Sequence, residues 1–181
     1  MSFETILRHQ QRVNALSRSL IGLPAFEDIH VVLPDPTQPE TGFIHATSWL
    51  YCLYFEGGHA SIGFLRRLGE ARRLMDRDAI EQHIEAVRCL RTELHHNLGF
   101  EDSDLQARSA AESWRRKACG TAIPETKQHW RTCYKKLVDE AEIILRTIEN
   151  LVRQLEADGE AAADELAEWR RCRDRNWAAA S

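Results

Sequence analysis

The stretch Ile84 to Gly99 reads IEAVRCLRTELHHNLG, and its reading decides the fold. Ile84, Val87, Leu90, Leu94 and Leu98 recur at intervals of three or four, so they line one side of a helix that packs inward. Gly99 follows the last apolar residue, and glycine is favoured just past a helix end because it takes a left-handed backbone without penalty. Within the last two turns stand Arg91, His95, His96 and Asn97. A helix end carries unpaired carbonyls that attract cations, and a buried core alone does not require four polar groups there.

Working outward, every long apolar pattern has a helical period, so the fold class is all-α, a compact helical bundle with long antiparallel helices. Residues 2–20 hold Phe3, Ile6, Leu7, Val13, Leu16 and Leu20 among polar residues, which predicts an amphipathic helix closed by Gly22 and Pro24. Pro34, Pro36 and Pro39 make 25–42 an ordered or semi-extended loop, and the apolar run Ile29 to Leu33 is a strand only if a partner chain pairs with it. From 43 to 74 the period runs through Trp49, Leu53, Ala60, Phe64 and Leu68 across Gly57 and Gly58, where a close approach, a kink or a break is expected. Asp76 is placed to cap the next helix, 77–98. Ser103 to Gln106 has the form of a capping box, predicting a helix start at Asp104, and Gly120 ends that helix. Pro124 is expected in the first turn of the following one. There Trp130, Tyr134, Leu137, Ala141, Ile144, Ile148, Leu151 and Leu155 alternate by four and three, a seam for a neighbouring helix or for a second copy of the chain. Asp158 and Gly159 break the run before a last helix, 160–177. The organisation is one domain, with 1–42 an N-terminal helix and Pro-rich loop packing on a bundle of 43–181.

At 181 residues, with 43% hydrophobic and 29% charged side chains, the chain is long enough for one real core. A net charge of −4 excludes a generally basic, nucleic-acid-coating surface, so any such contact is local. Basic runs at Arg66-Arg67, Arg72-Arg73 and Arg115-Arg116-Lys117 are candidates to track a phosphate backbone. Five cysteines cannot all pair within one chain and show no metal-ligand spacing. They read as reduced thiols in a cytoplasmic protein, with no metal site and no cofactor. No apolar run is long enough to span a membrane. His59 and His83 read as surface or packing residues.

Arg91-Thr92-Glu93-Leu94-His95-His96 has the spacing R-x4-H, and with Asn97-Leu98 it resembles the signature of the HEPN superfamily, the higher eukaryote and prokaryote nucleotide-binding domains. The resemblance covers about residues 43–157. It implies a small all-helical bundle with the motif near the end of an inner helix, preceded by another long apolar helix, here 43–74. It also implies metal-independent endoribonuclease activity, with Arg91 and His96 as the catalytic pair, RNA as the substrate and a homodimer that joins two motifs in one cleft. Such domains commonly serve as toxins or phage-defence effectors, with a nucleotidyltransferase or antitoxin as partner. Two positions depart from the pattern. Thr92 stands where many active members have Asn, Asp or His, and Leu98 stands where members silenced by AMP transfer carry Tyr.

The chemistry fits the residue types. Imidazole exchanges protons near neutral pH, guanidinium holds a phosphate in a fork, and the RNA 2′-hydroxyl supplies the nucleophile. On an unbroken helix, His95 lies about 40° around from Arg91 and His96 about 140°. His96 therefore becomes the partner where the helix unwinds before Gly99 or where the pair acts across a dimer, and His95 is a candidate helper. Asn97 and Glu56 are the other candidate helpers, Glu56 as an acidic group that orients Arg91. Two other readings use the same residues: a non-catalytic HEPN bundle that binds nucleotide, RNA or a partner protein, and a helical adaptor whose interface is the 130–155 stripe.

Overall fold

A computed structural model describes residues 2–95, 99 and 101–180, the last five in backbone only. The chain is an all-α bundle, with no strand among the described residues. Helix α1 spans Phe3–Ile21, α2 Pro39–Tyr51, α3 His59–Ala71, α4 Arg77–His95, α5 Asp102–Cys119, α6 Lys127–Asp158 and α7 Ala163–Ala180. A π-helical segment, Cys52–Gly57, continues α2, and a 3-10 turn, Gly159–Ala162, precedes α7.

The longest helix, α6, is the post on which the others lean, touching α1, α2, α3, α4 and α5. Its stripe is buried from Tyr134 through Leu137, Ala141, Ile144, Ile148 and Leu151 to Leu155. The stripe is thus intramolecular core, filled chiefly by α1 and α2. Phe43 on α2 bridges two helices, stacking on Trp114 of α5 at 5.9 Å and meeting Trp130 of α6 at 5.6 Å. α7 closes the other end against α3, where Trp169 lies parallel to Phe64 and its indole N–H donates to Ser61 Oγ at 3.1 Å.

Several helix ends follow sequence logic and three do not. Gly22 and Gly120 take positive φ and close α1 and α5, and Asp76 Oδ1 accepts the Ala79 N–H at 3.2 Å. Helix α2 begins at Pro39 rather than at 43, because a proline in the first turn loses no helical bond. Helix α5 begins at Asp102, and the expected capping box is not formed: Asp104 Oδ2 instead accepts the Gly99 N–H at 2.7 Å. Pro124 lies before α6, whose cap is Thr126, accepting from the His129 N–H at 3.1 Å.

The glycine pair serves a loop as well as a break. Asn14 of α1 satisfies both backbone groups of Phe26, donating to its carbonyl at 2.9 Å and accepting its N–H at 2.8 Å. So pinned, Phe26 and Glu27 lie against the π-helical turn, and the Glu27 N–H donates to Gly57 O at 2.9 Å. A Cβ on Gly58 would stand 2.2 Å from Leu53 O and 2.7 Å from the Phe26 ring. Neither neighbour can retreat, so Gly58→Ala is expected to lower stability by about 1–3 kcal/mol, read as a lower urea midpoint at unchanged m-value.

Candidate functional site

Helices α2 and α4 pack together, and the motif falls where the end of α4 meets the end of α2 and its π-helical continuation. A π turn is wider than an α turn and commonly marks a functional position. Across from it, the guanidinium of half-buried Arg91 lies over the Tyr51 ring, 4.9 Å from its centroid. Such a contact is electrostatic as well as apolar. Tyr51 in turn stacks on Phe55 at 4.9 Å, one turn further along.

Cys52, next to Tyr51 in sequence, feels the charge of Arg91. Burial pushes its thiol up to about 11, the Glu56 carboxylate adds to the rise, and Arg91 opposes it. At neutral pH Cys52 is therefore a thiol and not a thiolate nucleophile. Glu56 is exposed, and it and Arg91 both act on this sulfur. The structure thus brings Arg91, Cys52 and Glu56 into one neighbourhood.

His95 is the last described residue of α4, one turn beyond Arg91 on an unbroken helix, and its Nε2 lies 2.8 Å from Ser48 Oγ. Ser48 has one hydroxyl proton and donates it to Ile44 O at 2.9 Å. With that bond made, the Ser48 oxygen is left to accept when His95 carries its proton on Nε2. His96 and Asn97 lie outside the described residues.

The opposite side of α4 is clamped. Arg115, only 4% exposed, forks onto the Glu93 carboxylate and donates Nε–H to Ala122 O at 2.6 Å. Arg115 is therefore structural rather than part of a phosphate-tracking run. Arg72 is likewise committed, reaching Asp158 at 2.5 Å and Glu165 at 2.5 Å, and Arg66 pairs with Glu81 at 3.3 Å. Among the described residues, no group of three or more His, Cys, Asp and Glu side chains is placed to hold a metal ion, and no helix is long and apolar enough to cross a membrane.

A cleft of about 720 Å³ lies elsewhere, between α4, α5 and α6, lined by Ile80, His83, Trp114, Lys136, Glu140 and Ile143 among others. Arg91, His95 and Glu56 are not part of its wall. In its floor His83, 4% exposed, holds Nδ1 3.1 Å from Glu140 Oε2, and Trp114 Nε1 and Lys136 Nζ converge on the same carboxylate at 3.3 and 2.7 Å. The sequence signal for this cluster is thin: His83 and Glu140 are 57 residues apart, and only their common fall on inward helix faces joins them.

Comparisons with models of protein families, with curated proteins and with solved structures find no match for the chain.

Burial alone would raise the Glu140 carboxyl, but the hydrogen bonds from His83 and Lys136 outweigh it and hold it at about 2 against the usual 4.5. A carboxyl depressed on folding contributes stability that is intact above its unfolded value and lost as pH falls through the folded one. Stability should therefore drop between about pH 4.5 and 2, and urea midpoints across that window should fall less steeply for Glu140→Gln than for the parent protein.

Proposed function

We propose that the end of α4 is a metal-independent endoribonuclease site of the HEPN type, working on the RNA phosphodiester as a cytoplasmic toxin or defence effector. The observation that carries the reading is Arg91 held half-buried on the Tyr51 ring, one turn from a histidine whose ring is hydrogen-bonded to Ser48. A guanidinium so placed can bind a phosphate and stabilise the charge that develops on it. A histidine beside it takes the 2′-hydroxyl proton and returns one to the leaving oxygen. The R-x4-H spacing assigns that role to His96, and the unbroken helix makes His95 the same-face neighbour of Arg91. Two copies of the chain would place two such faces together, and a nucleotidyltransferase or antitoxin would be the controlling partner.

Thr92, in place of the Asn, Asp or His that many active HEPN members carry there, favours a second reading in which the same face binds RNA or nucleotide without cleaving it. One experiment separates the two: cleavage and binding of mixed RNA by the purified protein in excess chelator, for the parent, Arg91→Ala, His95→Ala and His96→Ala. Cleavage should fall by roughly 10²- to 10⁴-fold in Arg91→Ala and His96→Ala. Retention in His95→Ala assigns the proton transfer to His96, and loss there assigns it to His95. Binding without cleavage by the folded parent, weakened in Arg91→Ala, establishes the non-catalytic reading instead.

A further inference from the structure

The basic run Arg115-Arg116-Lys117 ends in a residue that the bundle does not use. Arg115 is committed to Glu93 and Ala122 O, and Arg116 lies 3.6 Å from Glu112. Lys117 is exposed and makes no ion pair among the described residues. It stands on the wall of the cleft of about 720 Å³ between α4, α5 and α6, a volume within the roughly 300–1,000 Å³ of small-molecule sites. The carboxylates of that wall are already engaged: Glu140 by His83, Trp114 and Lys136, Glu85 by Arg88, and Asp76 by the Ala79 N–H. The polar side chains left over are Lys117, Ser113 and Gln82, all exposed and without a side-chain hydrogen bond among the described residues. The charge still open to a guest is therefore positive. The rest of the cleft is apolar. Ile80, Trp114 and Ile144 are buried at its base, whereas Leu74 and Ile143 are 40% and 49% exposed. A second recess, with exposed Leu105 on its wall, adjoins it through Ala110 and Ser113. Large apolar side chains left in water around one concave place mark a surface that a guest gains free energy by covering.

We propose that this cleft is a binding site for a small amphipathic anion, an alkyl carboxylate whose chain lies along Ile80, Trp114, Ile143 and Ile144 and whose head group meets Lys117. The head group is an anion because a cation would have to draw Glu140 away from its partners, leaving the buried His83 ring and the Trp114 N–H unpaired. It carries a single charge because one lysine is free to meet it. A phosphate chain or nucleic-acid backbone calls for several cations and for the fork of an arginine, and the two arginines beside Lys117 are taken. Ser113, one turn before Lys117 on α5, offers a hydroxyl to the same head group. The site is distinct from the motif: its α4 wall runs from Ala79 to Ala86, before Arg91 is reached.

The test is an amide NMR titration of the isotope-labelled full-length chain with octanoate, and with octanol and octylammonium as probes of the same chain length. Octanoate should shift the Trp114 indole N–H and the amides of 79–86 and 110–117 in one saturable process, octanol should do so more weakly, and octylammonium should leave them in place. Hexanoate should bind more weakly than octanoate by about fourfold for each CH₂ removed, because the chain and not the head group alone is held. Lys117→Glu should lower octanoate affinity by about fivefold or more and leave octanol affinity unchanged. Ala110 is an exposed residue of the wall, so Ala110→Trp fills the cleft without touching the core and should abolish the binding of both. The proposal is overturned by an absence of saturable octanoate shifts in the folded parent, by octylammonium binding as tightly as octanoate, or by unchanged octanoate affinity in folded Ala110→Trp. Saturation that moves other amides and leaves those of the cleft in place overturns it too.

Discussion

The bundle depends on one helix burying a continuous apolar stripe. At 1.5 Å per residue, the 32 residues of α6 reach about 48 Å, long enough to give a face to each of α1 to α5. Burial of Leu137, Ile144, Ile148, Leu151 and Leu155 is non-directional and roughly proportional to area. It gathers the helices, but it does not by itself fix their rotation or their sliding along one another. Helix α1 illustrates the division of labour. Phe3, Ile6 and Val13 are buried, while His9 reaches Glu149 of α6 at 2.6 Å and Asn14 ties down Phe26.

Those polar ties are few and directional, and they join elements far apart in sequence. Arg72 joins the end of α3 to the end of α6 and to α7, and Trp169 finds its single acceptor at Ser61. A buried polar group costs free energy when unpaired, so each such bond penalises arrangements in which the helices are packed but misaligned. The Asn14–Phe26 pair has a further consequence. It holds the 25–28 loop against Gly57 and Gly58, and so supports the wide turn that carries Cys52 and Glu56 toward Arg91.

What the sequence made legible follows this division. The apolar period set the all-α class, most of the helices, the breaks at Gly22, Gly120 and Gly159 and the cap at Asp76, because a period of 3.6 and a positive φ are local properties written in consecutive residues. The two glycines at 57 and 58 also read correctly as a place of close approach and interruption, though the approaching element is the Phe26 loop rather than a helix. Ser103 to Gln106 misled because α5 starts earlier, at Asp102 after Glu101, so that Ser103 already lies inside the helix and is not its N-cap. The π-helical segment has no residue code comparable to a helix cap. Arg115 looked like part of a basic run because its acceptors, Glu93 and Ala122 O, belong to α4 and to a loop. The His83–Glu140 pair was invisible for the same reason.

The candidate site is positioned by opposed constraints on the end of α4. Two residues along a helix turn by about 200°, so Arg91 and Glu93 point to nearly opposite sides. On one side nearly buried Arg115 forks onto part-buried Glu93, and turning the helix would leave that guanidinium without its carboxylate partner. On the other side Tyr51 receives the Arg91 guanidinium and Ser48 receives the His95 ring. A helix end normally frays, since its last carbonyls have no partners within the helix. Here the last turn is anchored on both faces just before the chain leaves α4. An arginine and a histidine in that turn keep a defined spacing and orientation, which a bond-breaking site requires and a surface helix end would not supply.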